Sequence, residues 1–285
     1  SNTKAILAVD IYGQSADMDA INFIAKKYKL DVISDTAQAP GALYNNTLAG
    51  TLADIGGYSL NRHKHIHTGE GGILVTDNDH LADRMRLIRN HAESIVEDKN
   101  QKNLSNMIGY NFRFGEIESA IAIEQLKKLP YLIKKRQRVG EKLNKGLKDL
   151  KYLTIPKIRN NCTHVYYYYP LRIDTDALCV SRAKILDALL AEGVQGLSTG
   201  YRNVYLLPMY QNKIAYGLKG FPWILNKRNI CYDQGICPVS EQLEFKTFFA
   251  LQLCNFDLSD NDVDLIIDAF HKIWDNIKLL KTNSF

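Results

Sequence analysis

One lysine lies among three histidines in the segment NRHKHIHTGEGG, which occupies residues 61–72 and ends in glycines. Lys64 could act there as a nucleophilic amine, as a phosphate ligand or as a neighbour of a metal site. On an extended strand the imidazoles would share one face and could bind zinc; they belong to His63, His65 and His67. However, the charges of Lys64 and Arg62 oppose a cation, and a two-residue spacing suits tetrahedral coordination poorly. We therefore predict that the histidines line a polar pocket or bind loop backbone, with a metal site as the alternative.

Three polar residues upstream of Lys64 could reach the same ligand. Asp35 ends the apolar segment DVISD, and ligand groups gather at the carboxyl ends of strands in α/β sheets. Gln38 follows shortly after, and Ser59 lies five residues before Lys64. A lysine that bonds to a carbonyl cofactor needs a carboxylate at the ring nitrogen and hydroxyl or amide groups at the phosphate. Each residue alone would be an ordinary cap or loop residue, and together they fit pyridoxal phosphate (PLP).

The elements that must position these residues alternate along the first half of the chain. Apolar runs predict strands at KAILAVDIYG, DVISDTAQ, DIGGYSL and GGILVTD. Amphipathic segments predict helices at DMDAINFIAKKYKL, capped by Ser15 or Asp17, at residues 80–90, and at residues 116–129, ending at Pro130. The lysine-rich segment that follows predicts a further helix. Strand, helix and strand at this spacing indicate a parallel sheet with covering helices.

The second half has a different pattern. HVYYYYPLRID predicts a strand, SRAKILDALLAEG predicts a helix that stops at Gly193, and DNDVDLIIDAFHKIWDNIKLL predicts a closing helix. The sequence therefore predicts an α/β protein with two domains. Residues 1–130 would form the larger, cofactor-binding domain with a mainly parallel sheet, and residues 131–285 a smaller α+β domain.

The composition excludes several classes of protein. The 285 residues are 46% hydrophobic and 24% charged, and the net charge of +5 is spread along the chain. Without a basic block we predict no nucleic-acid partner, and without a long apolar run we predict no membrane span. Five scattered cysteines without a CxxC pair indicate reduced thiols and a cytoplasmic protein.

The segment DTAQAPGALYNNTLAGTLADIGGYSLNRHKHIHTGEGGILVT resembles the core motif of the DegT/DnrJ/EryC1/StrS sugar aminotransferases, which are fold-type I PLP enzymes. The family pattern is approximately D-x-A-Q-A-x-G-A, then G-D-x-x-x-x-S-F, then K-x-x-x-T-G-E-G-G. Leu60 stands where the pattern has phenylalanine, and the other positions occur in order. VDIYGQSADMDAI and GYNFRFGEIESAIAIEQLKKL match further, and CPVSEQL matches more weakly.

The resemblance implies a role for five residues. Lys64 would bond to the cofactor aldehyde, and Asp35 would hold the pyridine nitrogen. Gln38 would pack against the ring or its O3′ oxygen, and Ser59 would bind the phosphate. Asn111 would reach the phosphate held by a neighbouring subunit, so the resemblance implies a homodimer with shared active sites.

The implied activity is amino transfer to a nucleotide-linked keto-sugar, with L-glutamate as the amino donor. A dehydratase branch of the family carries histidine at the position of Lys64, so the lysine favours amino transfer. His63 and His65 flank it, and a shift of one residue in this match stays open.

The chain departs from the family at its start. Members begin well before KAILAVDIYG, and their leading segment supplies a Gly-Thr or Gly-Ser helix N-terminus for the phosphate and an aromatic ring that stacks on the pyridine. Neither occurs in residues 1–30, which suggests a truncated, split or decayed enzyme. We therefore expect the chain as given to bind PLP weakly or not at all. The alternative function is a non-catalytic family member that keeps the fold and the dimer surface without binding PLP.

Overall fold

The computed structural model describes residues 2–93, 107–228 and 230–281. The chain folds into two units. The first comprises Ser1–Gly140, Lys157–Tyr168 and Leu253–Asp257, and the second comprises Glu141–Pro156, Tyr169–Gln252 and Leu258–Phe285. Residue 130, where the sequence places a domain boundary, lies inside a helix, and the first division along the chain falls after residue 140. The assignment of cofactor binding to one domain stays a proposal.

The first unit holds a main sheet, a short hairpin and the helices around them. Its strands are β1 (Ala5–Val9), β2 (Asp31–Asp35), β3 (Leu43–Tyr44), β4 (Thr47–Leu48), β5 (Ile55–Ser59) and β6 (Gly72–Val75). Its helices are α1 (Met18–Tyr28), α2 (Asp79–Arg89) and the greater part of α3 (Glu116–Leu147). None of the helices in the described residues is both long and apolar enough to cross a membrane.

The main sheet has the strand order β1-β2-β5-β6. Strands β1, β2 and β5 run parallel, as the sequence predicts, whereas β6 pairs antiparallel with β5. A parallel return needs a crossover of a dozen or more residues, usually a helix. The chain instead turns back through residues 60–71, so the sheet is mainly parallel, as predicted, with one antiparallel strand at its edge. The carboxyl ends of β1, β2 and β5 meet at one edge.

Helix α1 forms because Asp17 caps it, accepting a hydrogen bond from the Ala20 N–H group. The helix covers one face of the sheet, where Met18 packs with strand residues. The buried cluster contains Ala8, Met18, Ala25, Val32 and Tyr44. Leu7 and Leu74 lie on the opposite face and are 62% and 60% exposed.

Strand β5 contains two adjacent glycines that offer a matched test of close packing. A Cβ atom on Gly56 would lie 1.8 Å from the carbonyl oxygen of Gly50, whereas one on Gly57 would meet nothing closer than 3.4 Å. Backbone cannot move aside as a side chain can. We expect Gly56→Ala to lower the free energy of unfolding by about 3 kcal/mol or more and Gly57→Ala by less than about 1 kcal/mol. Urea unfolding measures both, and equal losses would contradict the packing of β5 against Gly50.

Two predicted elements differ from the structure. The helix predicted to end at Pro130 continues through it to Leu147, although a proline inside a helix removes one backbone hydrogen bond. The strand predicted at HVYYYYPLRID is confined to residues 169–173. Residues before it are irregular, since Tyr166 has a φ of 51° and the Val165 N–H group bonds to the Gly13 carbonyl.

The second unit is the α+β part of the chain. Its strands β7 (Leu153–Thr154), β8 (Tyr169–Ile173), β9 (Leu197–Ser198) and β10 (Phe248–Leu251) form an antiparallel sheet of order β7-β8-β10-β9. Its helices are α4 (Thr175–Leu178), α5 (Arg182–Ala191), α6 (Pro208–Gln211), α7 (Pro238–Gln242) and α8 (Asp260–Asp275). Gly193 follows α5 with a φ of 90°, as expected for a helix stop. Helix α8 packs Phe270 against Phe249 of β10.

Candidate active site

Four of the predicted site residues lie at the carboxyl edge of the main sheet, within the first unit. Asp35 ends β2 and Ser59 ends β5, while Gln38 lies in the turn after β2. Lys64 lies in the loop between β5 and β6. Asn111 lies elsewhere in the same unit, exposed and joined by a backbone bridge to Asn90. The structure therefore brings the predicted ring, phosphate and amine ligands to one edge, and their roles stay predictions.

A buried carboxylate holds the backbone beneath Asp35. Asp10 is fully buried and accepts hydrogen bonds from the Ser34 hydroxyl at 2.9 Å and the Thr36 hydroxyl at 2.6 Å. Its own N–H group donates to the Asp35 carbonyl at 2.9 Å. The Asp35 side chain is exposed at the sheet edge and accepts from the Ala37 N–H group at 3.1 Å. Asp10 therefore fixes the position from which Asp35 can meet a ligand.

Gln38 is oriented by a residue with unusual backbone geometry. Its side-chain oxygen accepts a hydrogen bond from the Tyr12 N–H group at 2.8 Å. Tyr12 has a φ of 60°, a left-handed conformation that is rare for a bulky residue and is often found at functional sites. The hydrogen bond from Tyr12 therefore fixes the orientation of the Gln38 side chain in the turn after β2.

Lys64 is half-buried, and its ammonium lies 4.5 Å from the centre of the Tyr167 ring. Burial lowers the pKa of Lys64, and the negative charge of Asp35 partly opposes this change. A lowered pKa leaves a larger fraction of the amine neutral at physiological pH, which is what a nucleophile or a proton acceptor requires. The environment of Lys64 therefore favours a chemical role over a structural one.

The three histidines around Lys64 do not share a face. His63 and His67 are exposed, whereas His65 is buried and its Nε2 atom lies 2.8 Å from the Val165 carbonyl oxygen. Because a carbonyl can only accept, Nε2 carries the proton. Nδ1 has no hydrogen-bond partner in the described part of the chain. Within residues 2–93, 107–228 and 230–281 no group of three His, Cys, Asp or Glu side chains could hold a metal ion.

The burial of His65 leads to a prediction about how stability depends on pH. Burial, aided by the positive charge of Arg136, lowers the pKa of His65 to about 3, and burial lowers the pKa of His164 to about 4. Below about pH 6.5 these two histidines become protonated in the unfolded chain but stay neutral in the folded chain. The free energy of unfolding therefore decreases as the pH falls. We expect His65→Gln to reduce the slope of unfolding free energy against pH by about 1.4 kcal/mol per pH unit between about pH 6 and pH 4.

Urea unfolding at a series of pH values measures this slope. His67→Gln is the matched control, since His67 is exposed in the same loop. A slope that stays the same in His65→Gln would contradict the neutral, buried state of His65.

Three stacked tyrosines beside the site were missed by sequence reasoning. Tyr167 stacks on Tyr168 with ring centres 4.6 Å apart, and Tyr168 stacks on Tyr12 at 5.6 Å. We call these three residues the tyrosine stack. Its first member follows β1, and the other two come from the run HVYYYYP, which the sequence presented only as a strand. The run of four tyrosines was the one sequence feature that could have indicated these contacts. Its partners Tyr12 and Lys64 lie more than 100 residues away in the chain.

Comparison with known proteins identifies the family of the chain. The family model of the DegT/DnrJ/EryC1/StrS aminotransferase family matches residues 1–243. The chain therefore belongs to this family, whose aminotransferases depend on PLP.

Named relatives act on nucleotide sugars. A UDP-4-amino-4,6-dideoxy-N-acetyl-beta-L-altrosamine transaminase of Campylobacter jejuni is 32% identical over 214 residues, which are 75% of this chain and 56% of that protein. A GDP-perosamine synthase of Caulobacter vibrioides is 33% identical over 218 residues, 76% of this chain and 57% of that protein. The chain thus spans little more than half the length of these two relatives.

A solved structure confirms the predicted fold. The E. coli GDP-4-keto-6-deoxy-D-mannose-3-dehydratase, solved with bound hydrated PLP, matches with a TM-score of 0.75 and 25% identity. The match covers 94% of this chain and 67% of that chain. The α/β architecture of a PLP-dependent transferase is therefore the architecture of this protein.

The residues at the sheet edge fit PLP in their chemistry. Lys64 supplies an amine that has no carboxylate within 4 Å among the described residues, and it lies in the field of the Asp35 carboxylate. Ser59 accepts a hydrogen bond from the Asn61 N–H group at 3.2 Å, which leaves its own O–H able to donate to a phosphate oxygen. An amine, a carboxylate and a hydroxyl therefore lie at one edge of the sheet, and these are the chemical groups that PLP requires of a protein.

Proposed function

We propose that the protein is a PLP-dependent aminotransferase that converts a nucleotide-linked keto-sugar to an amino-sugar, with L-glutamate as the amino donor. The observation that carries the proposal is the half-buried amine of Lys64 with a lowered pKa, placed at the sheet edge in the field of Asp35. The names of the relatives from Campylobacter jejuni and Caulobacter vibrioides support the nucleotide-sugar class. Lysine at this position supports amino transfer over the reaction of the dehydratase relative.

Each residue at the edge has a distinct role in this proposal. When bound, PLP supplies the electron sink that allows an amino group to leave one substrate and join another. The Lys64 amine would hold the aldehyde of PLP and would accept the proton from Cα of the amino donor. Asp35 would keep the ring nitrogen protonated through its negative charge. Gln38 would pack against the ring or its O3′ oxygen, and Ser59 would donate from its hydroxyl to the phosphate.

Borohydride reduction tests the proposal directly. The chain is incubated with excess PLP, reduced and digested, and mass spectrometry locates the added pyridoxyl group. We expect the group on the peptide that contains Lys64, and formation of 2-oxoglutarate when L-glutamate is added. A label spread over exposed lysines, with none favoured, would overturn the proposal. That result without 2-oxoglutarate would support the non-catalytic alternative, which keeps the fold and the dimer surface without binding PLP. PLP is supplied in excess because the sequence predicts weak binding, and a titration of the chain with PLP, followed by absorbance, measures that affinity.

We also propose a cytoplasmic location. All five cysteines are free in the structure, and free thiols are typical of a reducing compartment.

A homodimer with shared sites is the proposed assembly, and exposed apolar side chains around Asn111 support it. These side chains belong to Ile108, Tyr110, Phe112, Ile117 and Ile121, with exposures of 43% to 75%. Tyr110 and Phe112 also stack with ring centres 4.8 Å apart. Contiguous apolar surface with aromatic residues is typical of an interface between subunits. A second copy that covers this surface would bring Asn111 to a neighbouring site.

Sedimentation measures the proposed assembly. We expect the chain to sediment as a dimer and Phe112→Asp to sediment as a monomer, because a buried, unpaired charge costs several kcal/mol of association energy. Leu218→Asp is the matched control, since Leu218 is 91% exposed in the second unit. A monomeric wild-type chain would contradict the proposed assembly, and dissociation by Leu218→Asp would place the interface elsewhere.

A further inference from the structure

The ring of Tyr167 lies directly against the Lys64 amine. Tyr167 is 3% exposed, and the Lys64 ammonium lies 4.5 Å from its ring centre. Cations within about 6 Å of a ring centre are attracted to the negative face of the aromatic ring, more strongly where water is excluded. The described part of the chain places no carboxylate within 4 Å of this ammonium, so no ion pair there competes with the ring face.

The ring itself is held on two sides. Tyr168 stacks on Tyr167 with an interplanar angle of 8°, and Tyr12 stacks on Tyr168 with an angle of 13°. His65 approaches the Tyr167 ring at 6.2 Å. Tyr12 in turn donates its N–H to Gln38 at 2.8 Å. The tyrosine stack therefore links the amine to the amide predicted to contact the cofactor ring.

We propose that Tyr167 is a positioning residue whose ring face holds the Lys64 amine at the sheet edge, ready for the cofactor aldehyde. The role given to Tyr167 rests on the proposed aminotransferase function. The test of this role needs only the contact between the Tyr167 ring and the Lys64 amine. A lysine on a flexible stem loses rotamer freedom when it is bound at one place. The ring keeps the amine beside Asp35 without a hydrogen bond that would have to be broken before the amine can react.

Other charged and titratable groups act on the same amine. Asp35 from β2 and Cys254 from the segment 253–257 raise the pKa of Lys64. His65, the next residue along the loop, stays neutral. Arg136 of α3 acts on His65 and Cys254. Replacement of Tyr167 leaves these groups in place. A change of the Lys64 pKa in a Tyr167 variant therefore measures the effect of the Tyr167 ring.

Competitive labelling with acetic anhydride measures the effect without any cofactor. The chain is labelled at a series of pH values from about 7 to about 11, and mass spectrometry follows acetylation of the Lys64 peptide. Removal of the ring destabilises the ammonium, so the apparent pKa must fall. We expect Tyr167→Leu to lower it by about half a unit to one and a half units and Tyr167→Phe to leave it within about 0.3 units. Tyr28→Leu, which removes the surface ring beneath Lys27, is the matched control and should leave Lys64 unchanged.

A second substitution covers the case in which Tyr167→Leu does not fold. Replacing Tyr167 with 4-cyanophenylalanine keeps the ring shape and withdraws electrons from its face, so the Lys64 pKa should fall below that of Tyr167→Phe. An unchanged pKa in both the leucine and the cyano variants, or an equal fall in Tyr167→Phe, would overturn the proposal. Borohydride labelling at Lys64 decides the proposed function separately, since the pKa comparison contains no PLP.

Discussion

Replacement of Lys64 with alanine is expected to abolish the fixation of PLP by borohydride and to slow 2-oxoglutarate formation from L-glutamate by at least about 10³-fold. Two contributions are lost together, the covalent bond to the aldehyde and the proton transfer at Cα of the donor. A positioned general base alone contributes about 10²–10⁴-fold. The burial that lowers the pKa of Lys64, and the Asp35 charge beside it, belong to this position in the fold. A lysine on the open surface would lack both.

Lys27→Ala is the matched control for this prediction. Lys27 also lies over a tyrosine ring, at 5.3 Å from Tyr28, but in helix α1. We expect this variant to keep both the borohydride label and the rate of 2-oxoglutarate formation. A label that persists at wild-type level in Lys64→Ala, or a loss of equal size in Lys27→Ala, would show that the amine in the site has been wrongly assigned.

The central strands could be predicted from the sequence because their signals are local. KAILAV and DVIS are short apolar runs bounded by polar residues, and an amphipathic helix separates them, so a parallel pair follows from elementary rules. The direction of β6 could not be predicted in this way. It depends on how residues 60–71 turn, and that loop contains glycines and histidines but no helical pattern.

The two wrong elements failed for a related reason. Pro130 is a strong local signal for a helix end, but α3 continues through it, and beyond it Gln137 donates a hydrogen bond to the distant His164 carbonyl. HVYYYYP has the composition of a strand, but contacts between Val165 and Gly13 and between Tyr166 and Gly140 fix an irregular backbone instead. In both places distant contacts outweigh the local preference.

The location of the site was predictable to the extent that its residues end strands. Asp35 and Ser59 close parallel strands, and the carboxyl ends of such strands meet at one edge. Asp10 and Tyr167 were missed because nothing in the sequence pairs them with the site. Asp10 supports the backbone from a neighbouring strand end, and Tyr167 lies 103 residues after Lys64 in the chain, since 167 − 64 = 103. Such supporting residues emerge only from the folded structure.

Removal of the negative charge of Asp35 is expected to have the second large effect on the rate of 2-oxoglutarate formation. Asp35→Asn removes the negative charge but keeps a side-chain oxygen that can accept the hydrogen bond from Ala37, and the support from Asp10 to the Asp35 backbone is untouched. The substitution therefore changes charge with little change of structure. Asp31→Asn, at the opposite end of the same strand and also exposed, is the matched control.

We expect Asp35→Asn to leave the borohydride label on Lys64 and to slow 2-oxoglutarate formation by about 10²–10³-fold, the usual loss when one group that stabilises developing charge is removed. The label should persist because Lys64, Ser59 and Gln38 are unchanged. Since Asp35 raises the pKa of Lys64, the variant should also lower that pKa in acetic anhydride labelling. Asp31→Asn should change neither quantity.

A rate within a few-fold of wild type in Asp35→Asn, with the label still on Lys64, would show that Asp35 does not act on the ring nitrogen. The assignment of Lys64 as the reacting amine would still hold. A fall in rate without a fall in the Lys64 pKa would place the two side chains too far apart to share one cofactor.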